Sequence, residues 1–245
     1  MTHNGESPGK EREDEPGPLE EVAGERLGVA RWDRPLIFRD AASAAVENGL
    51  PYWLVLVLSG AIATLGLALD SSAVVIGAML VAPLLAPIVG LSLALAVGDV
   101  RLALQCAAVV GGSLVAVVAT AAGLTALLPF HTVTLEISSR IHPTTLDLGV
   151  AVCSGLVGAV VTVARGQRLS AAIPGVAVAV ALIPPLAVAG FGMAAGWRTG
   201  VIWGALLLLG ANLAGIVLSG VLVFLLIGMH RSDVVEAARG WHAEA

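Results

Sequence analysis

The stretch Ala78-Met79-Leu80-Val81-Ala82-Pro83-Leu84-Leu85-Ala86-Pro87-Ile88-Val89-Gly90 decides how the whole chain is read. It has no charge and two prolines, and it lies in an uncharged run from residue 71 to residue 98. A run of that length is long enough to cross a hydrocarbon core as a helix, which takes about 20 residues. Proline inside such a helix removes a backbone donor and presses on the preceding turn. The expectation is therefore a membrane helix opened at Pro83 and Pro87.

The rest of the chain has the same character. Its 245 residues are 57% hydrophobic and 13% charged, against roughly 25% charged in soluble domains, and the mean hydropathy is +0.91. Residues 1–50 carry eleven acids and six bases, whereas residues 51–229 carry only Asp70, Asp99, Glu136, Asp147 and five arginines. An ordinary water-soluble enzyme is excluded. A net charge of −5 gives no basic field for nucleic acid. The apolar runs are continuous rather than alternating, which excludes a β-barrel. The fold class expected is all-α, a polytopic transmembrane helical bundle.

Six spans are expected, at about 51–69, 73–97, 102–128, 147–164, 171–195 and 200–228. Residues 1–33, rich in Glu, Gly and Pro, read as a disordered acidic tail. Residues 34–50 read as an amphipathic helix at the interface or under the bundle, and residues 230–245 as a short tail. With the N-terminus in the cytoplasm, eleven Lys and Arg lie inside and two, Arg140 and Arg198, outside. Both termini are then cytoplasmic, and the localisation is the cell membrane. The first span itself would act as the insertion signal. Cys106 and Cys153 read as buried thiols within spans. Asp99 beside Arg101 reads as a helix cap or ion pair.

A weak internal repeat runs through the spans. Ala181-Leu182-Ile183-Pro184-Pro185-Leu186 in the fifth places Pro185 against Pro83 of the second, with leucine following in both. Ser59-Gly60 and Ser154-Gly155 lie at the middle of the first and fourth spans. Two three-span units related in this way enter the membrane inverted, a pattern of transporters with broken helices in matching positions.

The longer stretch from Ser59 through Asp70-Ser71-Ser72 to Ala82-Pro83-Leu84-Leu85-Ala86-Pro87-Ile88 resembles the signature of a bacterial membrane family, domain of unknown function 389. Ala181–Leu186 resembles the family's second proline motif, and Asn212 with Ser219-Gly220 its last span. The resemblance covers about residues 45–228. It implies a membrane fold and names no substrate.

The candidate substrate-binding residues are Ser59, Pro83, Pro87, Ser154, Pro184, Pro185 and Asn212. Carbonyls freed by the prolines could line a cavity or hold an ion, and an amide in hydrocarbon must find partners. The alternative for each is structural: kinks for the prolines, and interhelical hydrogen bonding for Asn212. Asp70, Ser71 and Ser72 read as a helix cap or a mouth carboxylate group. The loop 130–147, with His131, Glu136, Arg140 and His142, reads as solvated rather than as a metal site. Small residues four apart, Gly192 with Gly196, Gly200 with Gly204 and Ala211 with Gly215, fit close helix packing or a homo-oligomer.

The function expected is a small-solute or ion transporter or channel with its site at the broken helices. The alternative is a membrane scaffold, lipid-binding or sensor protein that transports nothing. An intramembrane enzyme is disfavoured, because no paired carboxylates, HExxH or Ser/His pair fall within the spans. No cofactor or metal is expected, and the partners expected are the lipid bilayer, a small solute or ion and further copies of the chain.

Overall fold

The structure, a computed structural model, describes residues 22, 24, 29–129, 132–164 and 172–244, with backbone alone at 31, over 172–180 and at 244. The tail expected over 1–33 lies mostly outside the described residues. All regular structure among them is helical. A single 3-10 turn at Arg31–Asp33 leads into α1 (Arg34–Val46), followed by α2 (Leu50–Ala68), α3 (Ser72–Val81) and α4 (Leu85–Val97). Then come α5 (Val100–Leu127), the single turn α6 (Leu135–Ser138), α7 (Thr145–Val163), α8 (Ala172–Ala194), α9 (Thr199–Leu226) and α10 (Ser232–Glu244).

The helix ends follow local chemistry. Gly49 precedes α2, and Pro51 sits in its first turn, where its missing N–H costs nothing. Gly98 ends α4 at φ 79°, and its N–H and that of Asp99 both return to the Ala94 carbonyl. Asp99 then caps α5 by accepting from the Leu102 N–H at 3.0 Å. Thr144 and Asp147 form a reciprocal capping box at the start of α7.

Among the described residues, four helices are long and apolar enough to cross a membrane: α2, α5, α7 and α9. The pair α3–α4, bent by 59°, makes a fifth if it counts as one span. Large apolar side chains such as Leu58, Leu104, Val115, Leu207 and Leu218 are exposed on these helices. A water-soluble surface does not carry apolar faces of that extent, so the helices point to a membrane-embedded protein.

A further apolar helix, α8, lies at the centre. It packs against α2, α3, α4, α5, α7 and α9, and every residue from 181 to 192 is buried. Around it the helices approach closely through glycine. A Cβ at Gly155 would strike Ser219 and the Ile216 backbone, and one at Gly204 would strike the Ile141 backbone. Gly192 and Gly215 are also close-packed within the chain, whereas Gly196 and Gly200 face open space.

Three expectations change here. The two proline motifs do not behave alike. The second span is broken over Ala82-Pro83-Leu84, but α8 continues as helix through Pro184 and Pro185. Pro87 opens no helix, because it stands in the first turn of α4, where N–H groups have no intrahelical partner. The segment after residue 230 holds α10, which packs on α1 and buries Val234 and Ala238. Beneath the bundle, α1 buries Phe38, Ala42 and Ala45 against α4. Cys106 is buried as expected, but Cys153 is exposed on α7.

Candidate functional site: a polar-ended cavity beside the proline turns

A proline at position i leaves the carbonyl at i−4 without its helical donor. Pro184 therefore frees the carbonyl of Val180, and Pro185 that of Ala181. Ala181 is buried, and an unpaired carbonyl there is costly. For Ala181 the replacement donor is Asn212 of α9, whose Nδ2 reaches its carbonyl at 2.8 Å. This one contact explains how α8 passes Pro185 without breaking. It also explains an amide in the middle of an apolar helix.

The first motif uses a similar device at a real break. Ala78 is in the last turn of α3, where carbonyls lose their helical donors. Ser59 of α2 donates to the Ala78 carbonyl at 2.8 Å. Ser154, the expected counterpart of Ser59, instead donates to Val150 of its own helix at 2.7 Å. Ser113 likewise bonds back to Val109, and also meets the Tyr52 hydroxyl at 2.7 Å.

Next to the Asn212–Ala181 contact is a cavity of about 360 Å³, toward the small end of the ~300–1,000 Å³ range of small-molecule sites. Its lining includes Met79, Asp147, Ala181, Pro185, Leu208 and Asn212, and it reaches Ser139 and Arg140 in the loop before α7. Ser139 is exposed, whereas Asn212 is only 4% exposed. The cavity thus joins the surface to the interior of the bundle. At its inner end Asn212 has an unmet group: its Oδ1 is buried and accepts no hydrogen bond among the described residues.

The loop beside this cavity is folded rather than freely solvated. Thr134 caps α6 and donates to the Leu67 carbonyl at 2.8 Å. Ile137 is fully buried in the core. Asp70, at φ 51°, accepts from the Glu136 N–H at 2.9 Å, and the Ser72 hydroxyl donates to the Glu136 carboxylate. Arg140 pairs with Glu136 at 2.6 Å. The cap expected from Asp70-Ser71-Ser72 is thus made by Asp70, but on α6 rather than α3, and Ser71 makes no side-chain cap. His131 lies outside the described residues.

Of the seven candidate binding residues, Pro185 and Asn212 line the cavity. Ser59 and Pro83 stand at the break, while Pro87, Ser154 and Pro184 are placed in helix packing. The sequence reading missed Ser139, Arg140, Asp147 and Met79. Two signals were available: Thr144-x-x-Asp147 has the capping-box spacing, and Glu136 and Arg140 are four apart, as a helical ion pair requires.

Residues 79–218 match the family described as Domain of unknown function (DUF389). The chain belongs to this family. The match covers both proline motifs, Arg140, Asp147 and Asn212, but begins after Ser59 and Asp70-Ser71-Ser72. An uncharacterized protein of Methanocaldococcus jannaschii is 33% identical over 193 residues, covering 79% of this chain and 58% of that relative. The chain therefore spans rather more than half the length of the curated relative it matches. That relative is archaeal, so the bacterial setting implied by the resemblance is too narrow for the family. No solved structure matches.

Proposed function

We propose that this DUF389 protein is a membrane transport protein that passes a small solute or ion through the cavity beside Asn212. The observation that carries the reading is the join of an exposed rim at Ser139 to a buried, unpartnered acceptor at Asn212 Oδ1. Backbone at membrane depth departs from helix only where it is buried in protein or lines a water-filled space. Here the break at residues 82–84 and the proline turn of α8 lie on helices that both contribute to the cavity, through Met79 and through Ala181 and Pro185. In this reading α8 is a sixth span, both termini are cytoplasmic, and the rim faces outward. The units α2–α5 and α7–α9 are an inverted pair whose polar contacts have diverged, since Asn212 and not Ser154 serves the second motif. The protein works without cofactor or catalysis, and its exposed apolar faces meet lipid or further copies of the chain.

The test uses proteoliposomes and a Ser139→Cys variant in a Cys153→Ala background. Solute or ion flux is expected, and a bulky membrane-impermeant thiol reagent should abolish it. The same reagent should label intact cells from outside. Liposomes that pass no ion, amino acid, organic acid or nucleoside would overturn transport. They would leave the alternative, a scaffold, lipid-binding or sensor protein. That alternative draws on the packed platform of α1 and α10, where His242 Nε2 lies 2.7 Å from Asp99.

A further inference from the structure

Three residues that line the cavity have hydrogen-bonding groups without a partner among the described residues. Arg140 directs its described bonds through Nη1 alone, to the Glu136 carboxylate at 2.6 Å, the Glu136 carbonyl at 2.7 Å and Ser139 Oγ at 3.0 Å. Among the described residues its Nε and Nη2 have no partner. Asp147 directs its bonds through Oδ2 alone, accepting from the Thr144 N–H at 2.8 Å and hydroxyl at 2.6 Å. Its Oδ1 has no partner among the described residues. The third group is the buried Asn212 Oδ1. The lining residues therefore bring a guanidinium with open donors, a carboxylate with an open oxygen and a deep neutral acceptor. Met79, Val150, Pro185 and Leu208 supply apolar walls.

This set discriminates by charge. Arg140 is already paired with Glu136 at 2.6 Å, so an inorganic ion satisfies at most one of the two open edges: a cation that of Asp147, an anion that of Arg140. A solute carrying both charges satisfies both residues at once. A guanidinium edge suits a carboxylate in two-point contact, and a carboxylate oxygen suits an ammonium group. The inner acceptor asks for a donor, and a solute lacking one would leave it buried and unpaired.

Resting on the transport reading of the same cavity, we propose that the ligand is a small zwitterionic α-amino acid whose side chain carries a hydroxyl or amide. Its carboxylate binds Arg140, its ammonium binds Asp147, and its side-chain donor points to Asn212 Oδ1. The carbon skeleton lies against Met79 and Leu208.

The full chain in lipid nanodiscs is titrated with L-serine, with ethanolamine, which lacks the carboxylate, and with 3-hydroxypropanoate, which lacks the ammonium. L-alanine and sodium chloride complete the set. L-serine should bind at least tenfold tighter than either one-charge analogue, and more tightly than L-alanine. Arg140→Gln should close the gap to ethanolamine while leaving the gap to 3-hydroxypropanoate. Asp147→Asn should do the opposite. A one-charge analogue binding as well as L-serine in the unaltered protein would overturn the assignment, whatever the variants do to folding. So would competition by sodium chloride at equal concentration. Ion flux through the cavity without amino-acid binding would overturn the zwitterion and leave transport standing; no flux and no binding would overturn both.

Discussion

The two proline motifs meet the same chemical problem and solve it differently. At Ala82-Pro83-Leu84 the helix stops, turns through 59° and starts again, and Ser59 takes up a carbonyl of the last turn before the break. At Pro184-Pro185 the helix continues, and Asn212 takes up the carbonyl that Pro185 cannot serve. The difference lies in the surroundings. α8 is packed on all sides by six helices, so its path is set by neighbours and only its hydrogen bonding must be repaired. α3 is exposed along one face, at Ile76 and Leu80, and nothing on that side resists a bend. A proline therefore marks where a helix loses a bond, and packing decides whether it also loses its direction.

The largest effect should come from loosening the grip on α8. A Cβ at Gly190 would meet the Val118 carbonyl, Ala121 and the Ala122 backbone of α5. Backbone cannot yield as a side-chain tip can, so Gly190→Leu should cost about 3 kcal/mol, the upper end for overpacking. Gly77 of α3 meets nothing within 4 Å, and Gly77→Leu should stay within about 0.5 kcal/mol of the parent, as at an unconstrained surface site. Reversible unfolding in mixed micelles measures both. Equal losses at the two glycines would break the comparison.

A smaller effect isolates the hydrogen bond. Asn212→Leu leaves the Ala181 carbonyl buried and unpaired, at a cost of about 2 kcal/mol. Pro185→Ala returns an N–H to that carbonyl, so in its background Asn212→Leu should cost well under 1 kcal/mol. The coupling energy from the double-mutant cycle is the quantity to read. No coupling would mean that Asn212 does not serve the proline turn.

How far the sequence disclosed this arrangement depends on the kind of contact. The apolar runs and the cap at Asp99 were legible, because a helix in lipid must satisfy its own backbone and its ends need particular residues. Asn212 and Pro185 were legible as candidates, because each is chemically out of place in hydrocarbon. Their partnership was not, since it joins residues 31 positions apart across two helices. The continuity of α8 was hidden for the same reason: it depends on six neighbours rather than on its own residues. Arg140 and Asp147 were hidden because the loop 130–147 reads as polar and exposed. It is held in place by single contacts from distant elements, such as Asp70 to Glu136 and Thr134 to Leu67.

The smallest effect should be at Ser59. Its partner Ala78 belongs to a helix end next to a break, and a helix end can tilt a carbonyl toward another donor more easily than a helix interior can. Ser59→Ala should therefore cost about 0.6 kcal/mol, the average for interhelical side-chain bonds in a membrane protein, against about 2 kcal/mol for Asn212→Leu. The same unfolding measurement decides it. A loss at Ser59 as large as that at Asn212 would show that the break is as tightly specified as the proline turn of α8. The 59° bend would then be a fixed part of the cavity wall rather than the direction α3 takes where nothing opposes it.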